Sequence, residues 1–170
     1  MQQGLKSYTK QFRHGLGGVG NLSINLCGGN KNMHMILPLI STIGQNPINL
    51  SLIYNEVERD EEGQFGKGFR LNVYKKLVII NDNPIEGKVQ NFDGTEDNYG
   101  STINKETGNI LTNSIFNQEE GYLLTNNKGG EIFLMPTNNY PKFVKDSKGK
   151  YLYFQENNGK ISKISNEYLD

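Results

Sequence analysis

The sequence predicts an all-β fold: antiparallel strands and hairpins in a twisted or spiralling sheet, sandwich-like or open-shell, with little helix. Two observations predict it. Apolar residues alternate with polar ones in short runs, and those runs are separated by clusters of Gly, Asn, Asp and Pro at strand-sized intervals. The apolar fraction is 35%, low for a globular chain, but it is concentrated in runs at 22–26, 48–53 and 77–80. A disordered chain would not concentrate it so.

Residues 1–19 show no sustained period and run into the glycine-rich "HGLGGVG", so they are expected to form a flexible lead-in to a single β-rich domain over 20–170. In "NLSINL", Leu22, Ile24 and Leu26 alternate with Asn21, Ser23 and Asn25, which predicts a strand with one face inward; Cys27-Gly28-Gly29-Asn30 then reads as a turn. Met33, Met35 and Leu37 share the next strand face until Pro38 marks an edge or an end. "INLSLIYN" places Ile48, Leu50, Leu52 and Tyr54 on one face of a half-buried strand, introduced by Asn46-Pro47. The segment "EVERDEEGQ" is too charged to be buried and reads as a solvated connection, after which Phe69, Leu71 and Val73 resume the period of two. Further short strands are punctuated by Asp82-Asn83-Pro84, Asp93-Gly94, Thr107-Gly108-Asn109, Asn126-Asn127-Lys128-Gly129 and Thr137-Asn138-Asn139. Near the end, "DSKGKYLYF" and "ENNGKISKI" echo one another at an offset of ten, as two hairpin units over about 140–170.

Composition sets bounds on function. Lys plus Arg equals Asp plus Glu at 18 each, so the overall field gives no reason to expect nucleic acid or anionic lipid as a partner. No acid precedes Glu56, while that stretch carries Lys6, Lys10, Arg13 and Lys31. The single Cys27 has no internal disulfide partner, and no window approaches the ~18 apolar residues of a membrane-spanning helix. Residues 1–20 show no apolar core of a signal peptide.

Several strings imitate sites. Gly15-Leu16-Gly17-Gly18-Val19-Gly20 is a literal G-x-G-x-x-G, but a polar, irregular stretch precedes it, a strand pattern follows it, and the expected ribose-binding acid is missing. Gly66-Lys67-Gly68 lacks the Ser or Thr and the helix of a phosphate loop, and reads as a bend that lets Phe65 and Phe69 cover one end of a sheet. Cys27, His14 and His34 are too few and scattered for a structural zinc site. The acids at Glu56, Glu58, Asp60, Glu61 and Glu62, and at Asp93, Glu96 and Asp97, lack the alternation of a calcium loop and read as solvated charge. No catalytic set, cofactor site or metal site is therefore expected. Tyr122, Tyr140, Phe143, Tyr151, Tyr153 and Phe154 read mainly as core and cross-strand pairs, with Tyr140, Tyr151 and Tyr153 as candidate carbohydrate contacts.

An ordered series of strings resembles the segment that precedes the repeats in bacterial RHS (rearrangement hotspot) and YD-repeat proteins: "GNLSINL" at Gly20, "PINLSLIYN" at Pro47, "FGKGFRLN" at Phe65, "FDGTE" at Phe92, "YLLTNNKGGEIF" at Tyr122 and "FVKDSKGKYLYFQENNGKISKI" at Phe143, together spanning 15–170. Phe69 stands where that family usually has Trp, and Lys145-Asp146 and Gln155-Glu156 stand where the Tyr-Asp of a repeat would fall. The resemblance implies strand-turn-strand units winding side by side into a hollow β-shell, often around a C-terminal toxin, in a secreted or cell-surface protein. The expectation is a noncatalytic structural or interaction module that pairs exposed sheet edges with further β structure or with itself. Its rivals are a carbohydrate-binding surface module, suggested by the aromatic C-terminal strands and abundant Asn, and a hydrolase using two of the scattered carboxylates.

Overall fold

The structure, a computed structural model, describes residues 8–12, 21–27, 30–41, 48–55, 59–92 and 94–166. Among them there is no helix: fourteen strands, all paired antiparallel, form three sheets. Contacts divide the chain into two compact units, one ending at Asn72 and the other carrying Val73 onwards.

The first unit is a five-stranded meander in chain order: β1 (Tyr8–Phe12), β2 (Asn21–Cys27), β3 (Asn30–Ser41), β4 (Asn49–Asn55) and β5 (Phe69–Leu71). β1 lies inside the expected lead-in and pairs along its whole length with β2, Tyr8 opposite Leu26 and Phe12 opposite Leu22. β3 runs through Pro38 rather than ending there. Its pairing with β2 stops at Ile36, and its register with β4 shifts between Pro38 and Ile40. Proline is thus placed where one side needs no ladder donor and the other carries a bulge.

β4 departs from simple alternation. Leu50 and Ile53, an odd number of residues apart and so on opposite faces, are both buried, as is Asn55. The Gly66–Gly68 bend behaves as the sequence suggests: both glycines have positive φ, and the Asn55 amide donates to the Gly68 carbonyl at 2.8 Å. A Cβ on Gly68 would lie 2.8 Å from the Tyr54 ring, so glycine is what lets Phe69 reach Tyr54, with centroids 5.1 Å apart.

The second unit contains two sheets. β6 (Lys75–Asp82), β7 (Ile85–Asn91) and β8 (Glu96–Tyr99) form one; β9 (Ile110–Phe116), β10 (Glu119–Thr125), β11 (Glu131–Leu134), β12 (Phe143–Lys145), β13 (Tyr151–Asn157) and β14 (Lys160–Ser165) form the other, again in chain order. Leu77, Ile85, Val89 and Tyr99 from the first pack with Leu111, Leu124 and Leu134 from the second. Each such side chain contributes about 1.5–3 kcal/mol when fully buried. Burial pushes the Tyr99 hydroxyl up to about 12, the Asp97 charge adding to the rise and the Asn109 side chain opposing it. On β6 the register shifts between Ile79 and Asn81, which turns Ile80 out to 75% exposure on an edge strand.

The described residues of the five turn clusters from Asp82 to Asn139 lie between strands except Asp82, which ends β6, and several turns have recognisable geometries. Asn117-Gln118 and Asn158-Gly159, all at positive φ, make two-residue hairpins. The loops beginning at Asn91, Asn126 and Asp146 share another pattern. In each, the first residue's amide donates to the carbonyl four positions on, and a glycine at the fourth position, with φ of 82°, 83° and 84°, donates back. This is a turn closed by a left-handed glycine bulge. In the latter two the first side chain also accepts from the amides two and four residues ahead, at 2.9–3.0 Å.

Candidate functional site

The six-stranded sheet has two chemically different faces. Leu111, Leu124 and Leu134 join the cluster shared with the three-stranded sheet and Leu152 lies on the same face, while Phe116, Phe133, Phe143, Tyr151 and Tyr153 stand on the opposite face, with Phe133 and Phe143 buried, because register makes Phe133 the partner of Phe143 and Phe143 the partner of Tyr153. The rings touch in series: Phe116 to Phe133 at 5.6 Å, Phe133 to Phe143 at 5.8 Å, Phe143 to Tyr151 at 5.4 Å. Tyr151 and Tyr153 stack in parallel at 5.4 Å.

This row bends the sheet. Phe116 on β9 lies 6.2 Å from Tyr153 on β13, four strands away, where a flat sheet would separate the strands by about 19 Å. The sheet therefore coils around the aromatic face and makes it a trough. Gly121 permits the closest approach: a Cβ there would meet the Phe133 ring at 2.7 Å and the Leu134 carbonyl oxygen at 2.8 Å.

At the end of the trough formed by the β9–β10 and β13–β14 hairpins lies a cleft of about 640 Å³. Its apolar wall is Phe116 and Tyr153; its polar wall includes Glu119, Lys142, Gln155, Glu156, Asn157 and Ser162. Lys142 Nζ donates to Glu119 at 2.9 Å, and Asn138 donates to Glu156 at 2.6 Å. Burial pushes the Glu156 carboxyl above its ordinary value; Glu119 adds to the rise, while Lys142 and Asn138 oppose it. Burial also raises Tyr153, with Tyr151 adding. At the trough's far side Lys145 pairs with Glu131 at 3.0 Å and sits 5.6 Å from the Tyr151 ring centroid. The cleft thus offers two aromatic rings and a partly desolvated carboxyl beside a lysine that is already bridged to Glu119.

The sequence-derived candidates divide. Tyr151 and Tyr153 stand together on the trough. Tyr140 does not join them: it is 8% exposed and packs edge-on against Tyr74 at 5.6 Å. Of the acid clusters, Asp60, Glu61 and Glu62 are exposed, with Glu61 paired to Arg70 at 2.8 Å. Glu96 pairs with Lys88 at 2.9 Å, and Asp97 accepts from Asn91 at 3.2 Å. Glu56, Glu58, Asp93, His14 and the G-x-G-x-x-G string lie outside the described residues. Among the described residues no three His, Cys, Asp or Glu side chains converge on a metal position, and no helix is long and apolar enough to cross a membrane.

The cleft's Glu119, Lys142 and Glu156 carried no sequence signal, being scattered over three strand ends that only the register brings together. No family model, curated protein or solved structure matches the chain.

Proposed function

We propose that this chain is a noncatalytic structural and interaction module, resembling the start of an RHS-type β-shell in a secreted or cell-surface protein, that extends its sheet by pairing an edge strand with further β structure. The supporting observation is the ladder itself. In the six-stranded sheet spatial order equals chain order, so β14, the last of the described strands, is also an outer edge of that sheet. A following hairpin adds there without crossing anything. The Asn126 and Asp146 loops, identical in hydrogen bonding, sit 20 residues apart (146 − 126), which gives the ladder a translational unit.

A hairpin graft tests it. A second copy of residues 146–165 is inserted between residues 165 and 166 of the full chain, so that the unit repeats. The expected result is protection of the β14 amides from hydrogen exchange and a larger denaturant m-value, because one more hairpin is buried in the same cooperative sheet. An inserted copy that leaves β14 exchange unchanged contradicts the reading. So does turnover of a polysaccharide or peptide by the pure protein that disappears in Glu156→Gln.

A second reading, a carbohydrate-binding surface module, is favoured by one observation: Tyr153, stacked in parallel on Tyr151, lines a cleft whose volume lies within the 300–1,000 Å³ common for small-ligand sites. The two readings are compatible, since a binding cleft can ride on a scaffold sheet.

A further inference from the structure

Resting on the carbohydrate reading, we propose that the cleft at the β9–β10 and β13–β14 end of the trough binds an amino sugar, its ring seated on Tyr153 and its ammonium group held by Glu156. Three features choose this class over neutral or acidic saccharides. Phe116 and Tyr153 line the cleft with rings nearly parallel, inclined by 15° with centroids 6.2 Å apart, and an aromatic ring suits the C–H face of a pyranose. The cleft's charged groups are two carboxylates and one ammonium, and that ammonium, Lys142, already bridges to Glu119 at 2.9 Å. The carboxylate of Glu156 is left with a neutral partner, the Asn138 amide at 2.6 Å. With two carboxylates sharing one ammonium, a ligand cation balances the cleft's charge, whereas a uronic or sulfated sugar would bring a third anion into the same space. Lys160 and Lys163 on β14 are exposed and do not line the cleft. Burial raises the Glu156 carboxyl even with Lys142 nearby, so a further cation beside it would favour its charged form.

The test is calorimetric titration of the full chain with three disaccharides: the glucosamine dimer of chitosan, cellobiose, and digalacturonic acid. The expected order is amino over neutral over acidic, with a Kd in the millimolar range for the glucosamine dimer and about tenfold weaker binding at each step, as a single ion pair would give. Tyr153→Ala abolishes binding of the first two, and Tyr153→Phe retains it, which separates loss of the platform from loss of fold. Glu156→Gln weakens the glucosamine dimer about tenfold and leaves cellobiose unchanged. Cellobiose or digalacturonic acid binding as tightly as the glucosamine dimer, or a glucosamine affinity unmoved by Glu156→Gln, overturns the amino-sugar assignment alone. Absence of heat with all three at about 20 mM overturns it together with the carbohydrate reading.

Discussion

At the scale of single residues, the position that most sharply constrains the candidate site is Gly121, whose side is occupied by a neighbour's ring rather than by its own side chain. Glu120 beside it is exposed, but a methyl group here would lie 2.7 Å from Phe133 Cζ and 2.8 Å from a carbonyl oxygen. Phe133 is 1% exposed and is held by Phe116 and Phe143, so it has no space to withdraw into. Gly121→Ala should therefore cost about 1–3 kcal/mol, the usual range for overpacking. The urea midpoint should fall at constant m-value, and Gly100→Ala, where a Cβ meets open space, should leave it close to wild type. The sequence shows Gly121 only as an interruption of a strand pattern. It does not show which ring covers it, because that depends on a cross-strand register set far along the chain. Tyr140 illustrates the same limit from the other side, since an aromatic beside a turn reads equally well as platform or core.

At the scale of elements, the loop at Asp146 carries a pH dependence that its counterpart at Asn126 lacks. The Lys150 amide, and with it the Lys148 amide, donates to the Asp146 carboxylate at 2.9 Å and holds it below its ordinary value of 3.8. The folded chain thus binds this proton less readily than the unfolded one. The stabilisation is fully present above the unfolded value and is lost as pH falls through the depressed folded value. Glu156 runs the opposite way: its raised carboxyl contributes fully below its ordinary 4.5, and that contribution fades as pH rises through the raised folded value. Asp146→Asn should retain the loop, since Asn126 makes the same two bonds, and should flatten the loss of stability below about pH 4. Asp146→Ala should lower the melting temperature at every pH. Melting curves of both variants from acid to neutral pH check this, and parallel acid slopes for wild type and Asp146→Asn would refute it. The loop chemistry was largely legible beforehand, because Asn, Asp and Gly at fixed offsets act through local backbone geometry. Its pairing was not: the echo at an offset of ten joins the five-residue loop at Asp146 to the two-residue turn at Asn158-Gly159, whereas the true geometric repeat joins Asn126 to Asp146. Strand lengths and register decide that correspondence, and neither is written in the turn residues.

At the scale of the whole molecule, the all-β architecture was the most legible feature, since period two and turn punctuation act everywhere along the chain and reinforce one another. The division into two compact units was not anticipated, because a change of sheet between Leu71 and Lys75 leaves no composition shift in the sequence. The second unit nevertheless contains what an independent fold requires: two sheets and a shared buried cluster running from Leu77 to Leu134. It also holds the coiled aromatic trough and the cleft. Residues 73–170 alone should therefore unfold in one cooperative transition, with an m-value in proportion to their own buried surface. Tyrosine ionisation gives a readout of native packing beyond mere compaction. Burial pushes both Tyr99 and Tyr122 up to about 12, the latter also bonded to Asp82 across the two sheets. If the fragment is native, its absorbance titration should show two tyrosines ionising well above the ordinary value of 10.0, as in the full chain. A fragment whose tyrosines all titrate near 10, or whose denaturation is gradual, would mean that the core drawn from these two sheets does not suffice for an independent fold.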